Sequence, residues 1–228
     1  MSSQPDSQPK SIRQVIHRML MSKGRLEALT DGIFAIAMTL LVLELKVPDL
    51  PKTVSASELM HHIGEAGPAF FSFVVSFLYC GLLWILHHLA MHFIRHIQIA
   101  LVWLNLLFLM TISLLPFSCA LLGHYLRNRA AQEIYFWNLF VSGFLLFLMW
   151  MFARQRKLVS EDDPRAAKAM GQQLMMFPIA IGAGALAVLY KPEAGFWAMA
   201  VVLLAFRLWQ RQSFRKELAT PSLSQPSS

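Results

Sequence analysis

The chain has 228 residues, 56% of them hydrophobic and only 14% charged, with a net charge of +7 and a mean hydropathy of +0.50. Soluble domains carry about 25% charged residues, so this composition excludes an ordinary soluble enzyme and points to a polytopic membrane protein whose length one membrane domain fills. The positive charge raises nucleic-acid binding as an option, which the placement of that charge along the chain removes.

Residues 1–10 are rich in Ser, Gln and Pro and are predicted to be disordered. From Ser11 to Ser22, the apolar residues Ile12, Val15, Ile16, Met19 and Leu20 fall at helical spacing, with Lys10, Arg13, Arg18 and Lys23 around them. This pattern predicts a short amphipathic helix lying on a membrane surface; the plainer reading is a frayed basic leader. The basic leader and the apolar run behind it are both too long for a cleaved signal peptide, despite a weak small-residue site at Ser55-Ala56-Ser57. Residues 1–23 therefore read as a cytoplasmic leader.

The run from Ala28 to Val47 covers about 30 Å as a helix, the thickness of a bilayer's hydrocarbon core. Asp31 and Glu44 sit near its ends. Ionisable groups are costly in lipid and call for a water-filled path or a buried partner. The run thus suits the centre of a bundle or the wall of a pore. Five further apolar segments, roughly 68–91, 97–122, 132–153, 172–190 and 195–210, bring the predicted spans to six. No strand pattern appears. The expectation is an all-α, six-helix membrane domain over 24–212 with a disordered tail over 213–228.

Six spans put both termini on one side. Of the 20 Lys and Arg, only Lys46, Lys52, Arg127, Arg129 and Lys191 fall on the far side. The positive-inside rule then makes the termini cytoplasmic, in a cell (inner) membrane. Cys80 and Cys119 lie within apolar segments and read as packed free thiols.

Two stripes run along the first helix. Ile36, Leu40 and Leu43 follow i, i+4, i+7, and the small residues Ala28, Gly32, Ala35 and Thr39 form the other. Small residues let helices approach closely in lipid, so one stripe can pack while the other looks into an axis. On spacing alone the large stripe is core or lipid-facing. Arg25 and Asp31, six residues apart, point to different faces and each needs a partner from elsewhere. The second helix returns antiparallel and brings Trp84, His87 and His88 to the depth of Asp31. The options are an intramembrane network or interfacial snorkelling with an aromatic belt. His88, His92 and His96 repeat every four residues, a spacing that suits a transition metal. Without a Cys or carboxylate on that stripe, interfacial histidines are the plainer reading. In the third segment, Asn105 can bond across helices and Pro116 predicts a kink.

There is no Thr-Val-Gly-Tyr-Gly filter, phosphate-binding loop, His-Glu-x-x-His or nucleophile elbow. The last three spans carry no acidic residue over 134–151, 172–190 or 195–210, which weighs against a coupled transporter.

Arg25, Leu29-Thr30-Asp31-Gly32, Phe34-Ala35-Ile36-Ala37, Thr39-Leu40-Leu41 and Val47-Pro48 together resemble the first-helix signature of the transmembrane protein 175-like potassium channels. That signature reads Arg, three residues, Phe-Ser-Asp-Gly, then an apolar helix ending before Val-Pro; Leu29 and Thr30 stand where it has Phe and Ser. Trp84 with His87-His88 is similar to the family's second helix, and Asn105 with Leu115-Pro116-Phe117 to its third. The resemblance covers residues 24–123. It implies a homotetrameric channel, no enzyme and no cofactor, with K⁺ as the permeant ion and the first helix around the axis. It further implies that Ile36, Leu40 and Leu43 line a hydrophobic constriction with the Thr39 hydroxyl beside them, and that Arg25, Asp31, Trp84, His87, His88 and Asn105 form a structural network. The rival readings are a secondary transporter using Asp31 and His88, and a membrane metal-handling protein using the histidine stripe.

Overall fold

The computed structural model describes residues 22–47, 49–160 and 163–219. Among them lie eight helices: α1 (Lys23–Leu43), α2 (Ala56–Glu65), α3 (Gly67–Phe93), α4 (Ile99–Ser113), α5 (Leu115–His124), α6 (Arg129–Gln155), α7 (Pro164–Val188) and α8 (Ala194–Ala219). The fold is all-α; an isolated bridge between Ile94 and Val159 is the extended pairing found among the described residues.

Among the described residues, five segments are long and apolar enough to cross a membrane: α1, α3, α4 with α5, α6, and α7. The sixth predicted span falls on α8, which is apolar over Ala194–Ala205 among the described residues. α8 then continues as helix through 213–219, residues that the sequence assigns to a disordered tail. The helix predicted over 11–22 lies outside the described residues apart from Ser22, which precedes the first turn of α1.

Local chemistry sets the boundaries. α1 begins five residues earlier than its apolar run and ends at Leu43, where the Glu44 and Leu45 amides bond back to Leu41 and Val42 and tighten the last turn. The sequence beyond supports that stop, because Val47 precedes a proline and a residue before proline disfavours helix. Pro116 lies in the first turn of α5. It has no N–H to give to the turn before it, so the third span breaks at Leu114 into α4 and α5. Asn128 caps α6 through the Ala130 and Ala131 amides, and Asp163 caps α7 through those of Arg165 and Ala166, each satisfying donors a helix start leaves unpaired. α2 has no counterpart among the predicted elements. Its start is written as Ser55-x-x-Glu58, and the Ser55 hydroxyl accepts from the Glu58 amide.

α1 packs on α3, α4 and α5; α6 packs on α4, α5 and α7; α8 packs on α7. α1 is thus at one margin of the bundle and α8 at the other. The core between them holds Phe34, Phe108, Leu83, Leu86, Tyr135, Phe136 and Trp150. Three buried hydroxyl contacts fasten α3 to α6. Tyr79 donates to the Leu139 carbonyl at 2.6 Å and lies 3.0 Å from the Ser142 hydroxyl, and Ser76 meets the Tyr135 hydroxyl at 3.1 Å. At the α7–α8 corner the Phe136 ring fits only because Gly184 and Gly195 face it: a Cβ at either would stand 2.7 or 2.9 Å from its carbons.

Candidate functional site

Helix α1 has two sides of different chemistry. Leu26, Thr30, Phe34, Ala37 and Leu41 are buried against the bundle. The opposite side is open. Ile36, Leu40 and Leu43 are 57%, 42% and 69% exposed, and Ala28, Asp31, Gly32, Ala35 and Thr39 are exposed beside them. A Cβ added to Gly32 would meet nothing within 4 Å. Both stripes read from the sequence therefore lie on the same broad outward face. A carboxylate, a hydroxyl and several small residues do not make a lipid-facing surface, since hydrocarbon offers Asp31 no partner. This face is suited to water, ions or other protein. The Thr39 hydroxyl donates to the Ile36 carbonyl at 2.8 Å, which leaves its oxygen lone pairs available to that face.

On the buried side, one directed chain of hydrogen bonds joins three helices. His87 Nε2 on α3 donates to Asn105 Oδ1 on α4 at 2.9 Å. Asn105 Nδ2 donates to Thr30 Oγ1 on α1 at 3.1 Å, and Thr30 donates to the Leu26 carbonyl at 2.9 Å. All three side chains are buried. The His87 ring also stacks on Phe108, with centroids 5.6 Å apart and planes 5° apart, and Phe108 meets Phe34 of α1 at 5.8 Å. In a bilayer, where no water replaces a lost partner, such a chain fixes the rotation of α1 about its own axis. That rotation decides which residues the outward face presents.

On the open side, the Trp84 indole N–H donates to Asp31 Oδ1 at 2.8 Å, and the His88 ring stacks on Trp84 at 6.0 Å. The six residues expected to form one network are thus divided. Asn105 and His87 are inside, while Asp31, Trp84 and His88 form a separate layer outside. Among the described residues Asp31 and His88 share no hydrogen bond, and Arg25 is exposed and unpaired with Asp31. The predicted histidine stripe does not hold together as a helical face. α3 ends at Phe93 and Ile94 is extended, so His96 leaves the line of His88 and His92.

Thr30 is the site residue that sequence reasoning missed, although it occupies the serine position of the resembled signature and so carried a signal. Tyr79, Ser142, Ser76 and Tyr135 are likewise unpredicted; they gave no signal beyond being polar groups in apolar runs.

A family profile described as the endosomal/lysosomal potassium channel TMEM175 matches residues 25–116. A potassium channel of Streptomyces collinus is 41% identical over 111 residues, 49% of this chain and 52% of that protein. A potassium channel of Chamaesiphon minutus is 32% identical over 160 residues, 68% of this chain and 78% of that protein. The match thus spans about half the length of the first relative and over three quarters of the second. The crystal structure of a lysosomal potassium-selective channel TMEM175 homolog from Chamaesiphon minutus superposes with a TM-score of 0.70 at 28% identity, covering 82% of this chain and 96% of that one.

Proposed function

The chain belongs to the TMEM175 family, and from that premise we propose that it is one subunit of a potassium-selective cation channel that passes K⁺ passively. The observation that carries the reading is the outward face of α1. It holds Ile36, Thr39, Leu40 and Leu43 in the open on a helix whose other side is locked to the bundle. One helix cannot enclose a path, so several copies must bring this face together. The resemblance of the first helix to potassium channels supports four copies with α1 around the axis, and the distribution of Lys and Arg supports a cell membrane with both termini cytoplasmic. The names of the Streptomyces and Chamaesiphon relatives support K⁺ as the cargo.

In this arrangement Ile36, Leu40 and Leu43 form three stacked apolar rings over about 10 Å of helix. Narrow apolar rings lose water readily and block ions without a moving plug. Widening readmits partly hydrated ions, and K⁺ gives up its hydration more easily than Na⁺. Thr39 adds a ring of oxygens beside the constriction. Asp31, Trp84 and His88 stand where neighbouring copies or water would meet them, and Glu44, Asp49, Glu58 and Glu65 gather at the outer end, where an acidic vestibule concentrates cations. The reading assigns no catalytic group and no cofactor.

Its test is ion flux in liposomes containing the purified chain. A K⁺ gradient should collapse with no second ion gradient present, and faster than an equal Na⁺ gradient. Flux that appears only when a proton or sodium gradient is supplied would favour a transporter working through Asp31 and His88.

A further inference from the structure

α2 lies between α1 and α3 and is a helix of ten residues whose two sides differ sharply. At 100° per residue, Ala56, Leu59, Met60 and Ile63 fall on one side. Glu58, His61, His62 and Glu65 fall on the other. The apolar side suits the membrane interface, which turns the histidines and carboxylates toward water.

Within that polar side, three donors converge. His62 Nδ1 lies 2.8 Å from Glu65 Oε2 and His61 Nδ1 lies 3.8 Å from Glu65 Oε1, and one ligand atom from each residue falls within 4.8 Å of the others. Around a tetrahedral ion with bonds near 2.0–2.1 Å, neighbouring donors stand roughly 3.3 Å apart. The observed spacings straddle that value, so small side-chain rotations on an unmoved backbone bring all three into a first coordination sphere. The Ser55 cap holds the backbone of the first turn. The donor set chooses the metal. Two neutral imidazoles and one carboxylate suit Zn²⁺ and its neighbours, whereas Mg²⁺ and Ca²⁺ take oxygen ligands.

We propose that His61, His62 and Glu65 form a binding site for one divalent transition-metal ion of the Zn²⁺ class per chain, with water completing the coordination. The His62–Glu65 hydrogen bond alone explains one pair of the three; it does not explain why the His61 nitrogen also turns toward the same carboxylate. The site is separate from the outward face of α1 and does not depend on whether the protein conducts.

The test is Zn²⁺ titration calorimetry on the tag-free, full-length protein in detergent. The expected result is saturable binding of one Zn²⁺ per chain. His62→Ala and Glu65→Gln should each weaken it by about tenfold or more, since even a lost outer partner costs a metal site about 10–100-fold. His92→Ala, outside the cluster, should leave it unchanged. His61 and Glu65 are exposed and His62 is half-buried, so unaltered size-exclusion elution of the variants keeps the comparison valid. The proposal is overturned if the parent binds no more Zn²⁺ than the His61→Ala/His62→Ala double variant, or if His92→Ala removes the binding that His62→Ala leaves.

Discussion

Ile36→Asn is expected to raise total cation flux and to reduce the preference for K⁺ over Na⁺. Ile36 is 57% exposed on α1, so the change does not disturb the packed side of the helix. An amide in a narrow apolar ring supplies dipoles that hold water, and it lowers the barrier set by dewetting. Each 1.4 kcal/mol or so removed from that barrier speeds passage about tenfold, so an increase of about tenfold or more is the expected scale. Selectivity falls because a wet ring no longer requires an ion to shed its hydration. The same change at Leu41, one turn further and 0% exposed, acts differently. It buries an amide without a partner and should lower the yield of folded protein. Asn at the exposed Met110 of α4 should change neither flux nor selectivity. Liposome K⁺ and Na⁺ fluxes on the three variants separate these outcomes, and Ile36→Asn behaving like the parent would remove Ile36 from the pore.

Asn105→Leu is expected to cost about 1–3 kcal/mol of stability. Interhelical hydrogen bonds in membranes average only about 0.6 kcal/mol and reach about 1.7. Asn105 makes two of them, to His87 and Thr30, and its loss also leaves a buried imidazole N–H without an acceptor. His87→Phe keeps a ring for stacking on Phe108 but removes the donor, and should cost less. Because both variants break the same bond, their effects should not add, and the double variant should be milder than the sum. Thermal unfolding of the detergent-solubilised protein, followed by loss of the monodisperse peak, reads all three. Strict additivity would mean the chain of bonds from α3 to α1 does not act as a unit.

The helices were legible because lipid demands long apolar runs, and runs of that length are read directly from sequence. What composition cannot supply is azimuth. Asp31 and His88 are at matching depth, which made them appear to be partners, yet adjacent residues on a helix point about 100° apart. As a result His87 turns inward to Asn105 while His88 turns outward onto Trp84, and the indole of Trp84 takes Asp31. Thr30 looked like a mild replacement in a signature and is instead the link by which α1 receives its hydrogen bond from α4. α2 escaped notice because ten residues with four ionisable side chains lack the apolarity of a span; the capping pattern at Ser55 and Glu58 was its visible trace. The sixth predicted span falls on α8, which runs on as one helix through 213–219, residues that hydropathy assigns to a tail. Spacing draws two stripes along α1, but only packing tells that both face away from the bundle while Leu41 faces in.

The central claim is that the open face of α1 lines the ion path. Leu40→Cys tests it most directly, because the two native cysteines, Cys80 and Cys119, are buried and should stay silent to a charged methanethiosulfonate reagent. In liposomes, K⁺ flux through Leu40→Cys should fall to background on addition of the reagent while flux through the parent is unchanged. Full modification of Leu40→Cys, established by mass, with K⁺ flux undiminished would contradict it.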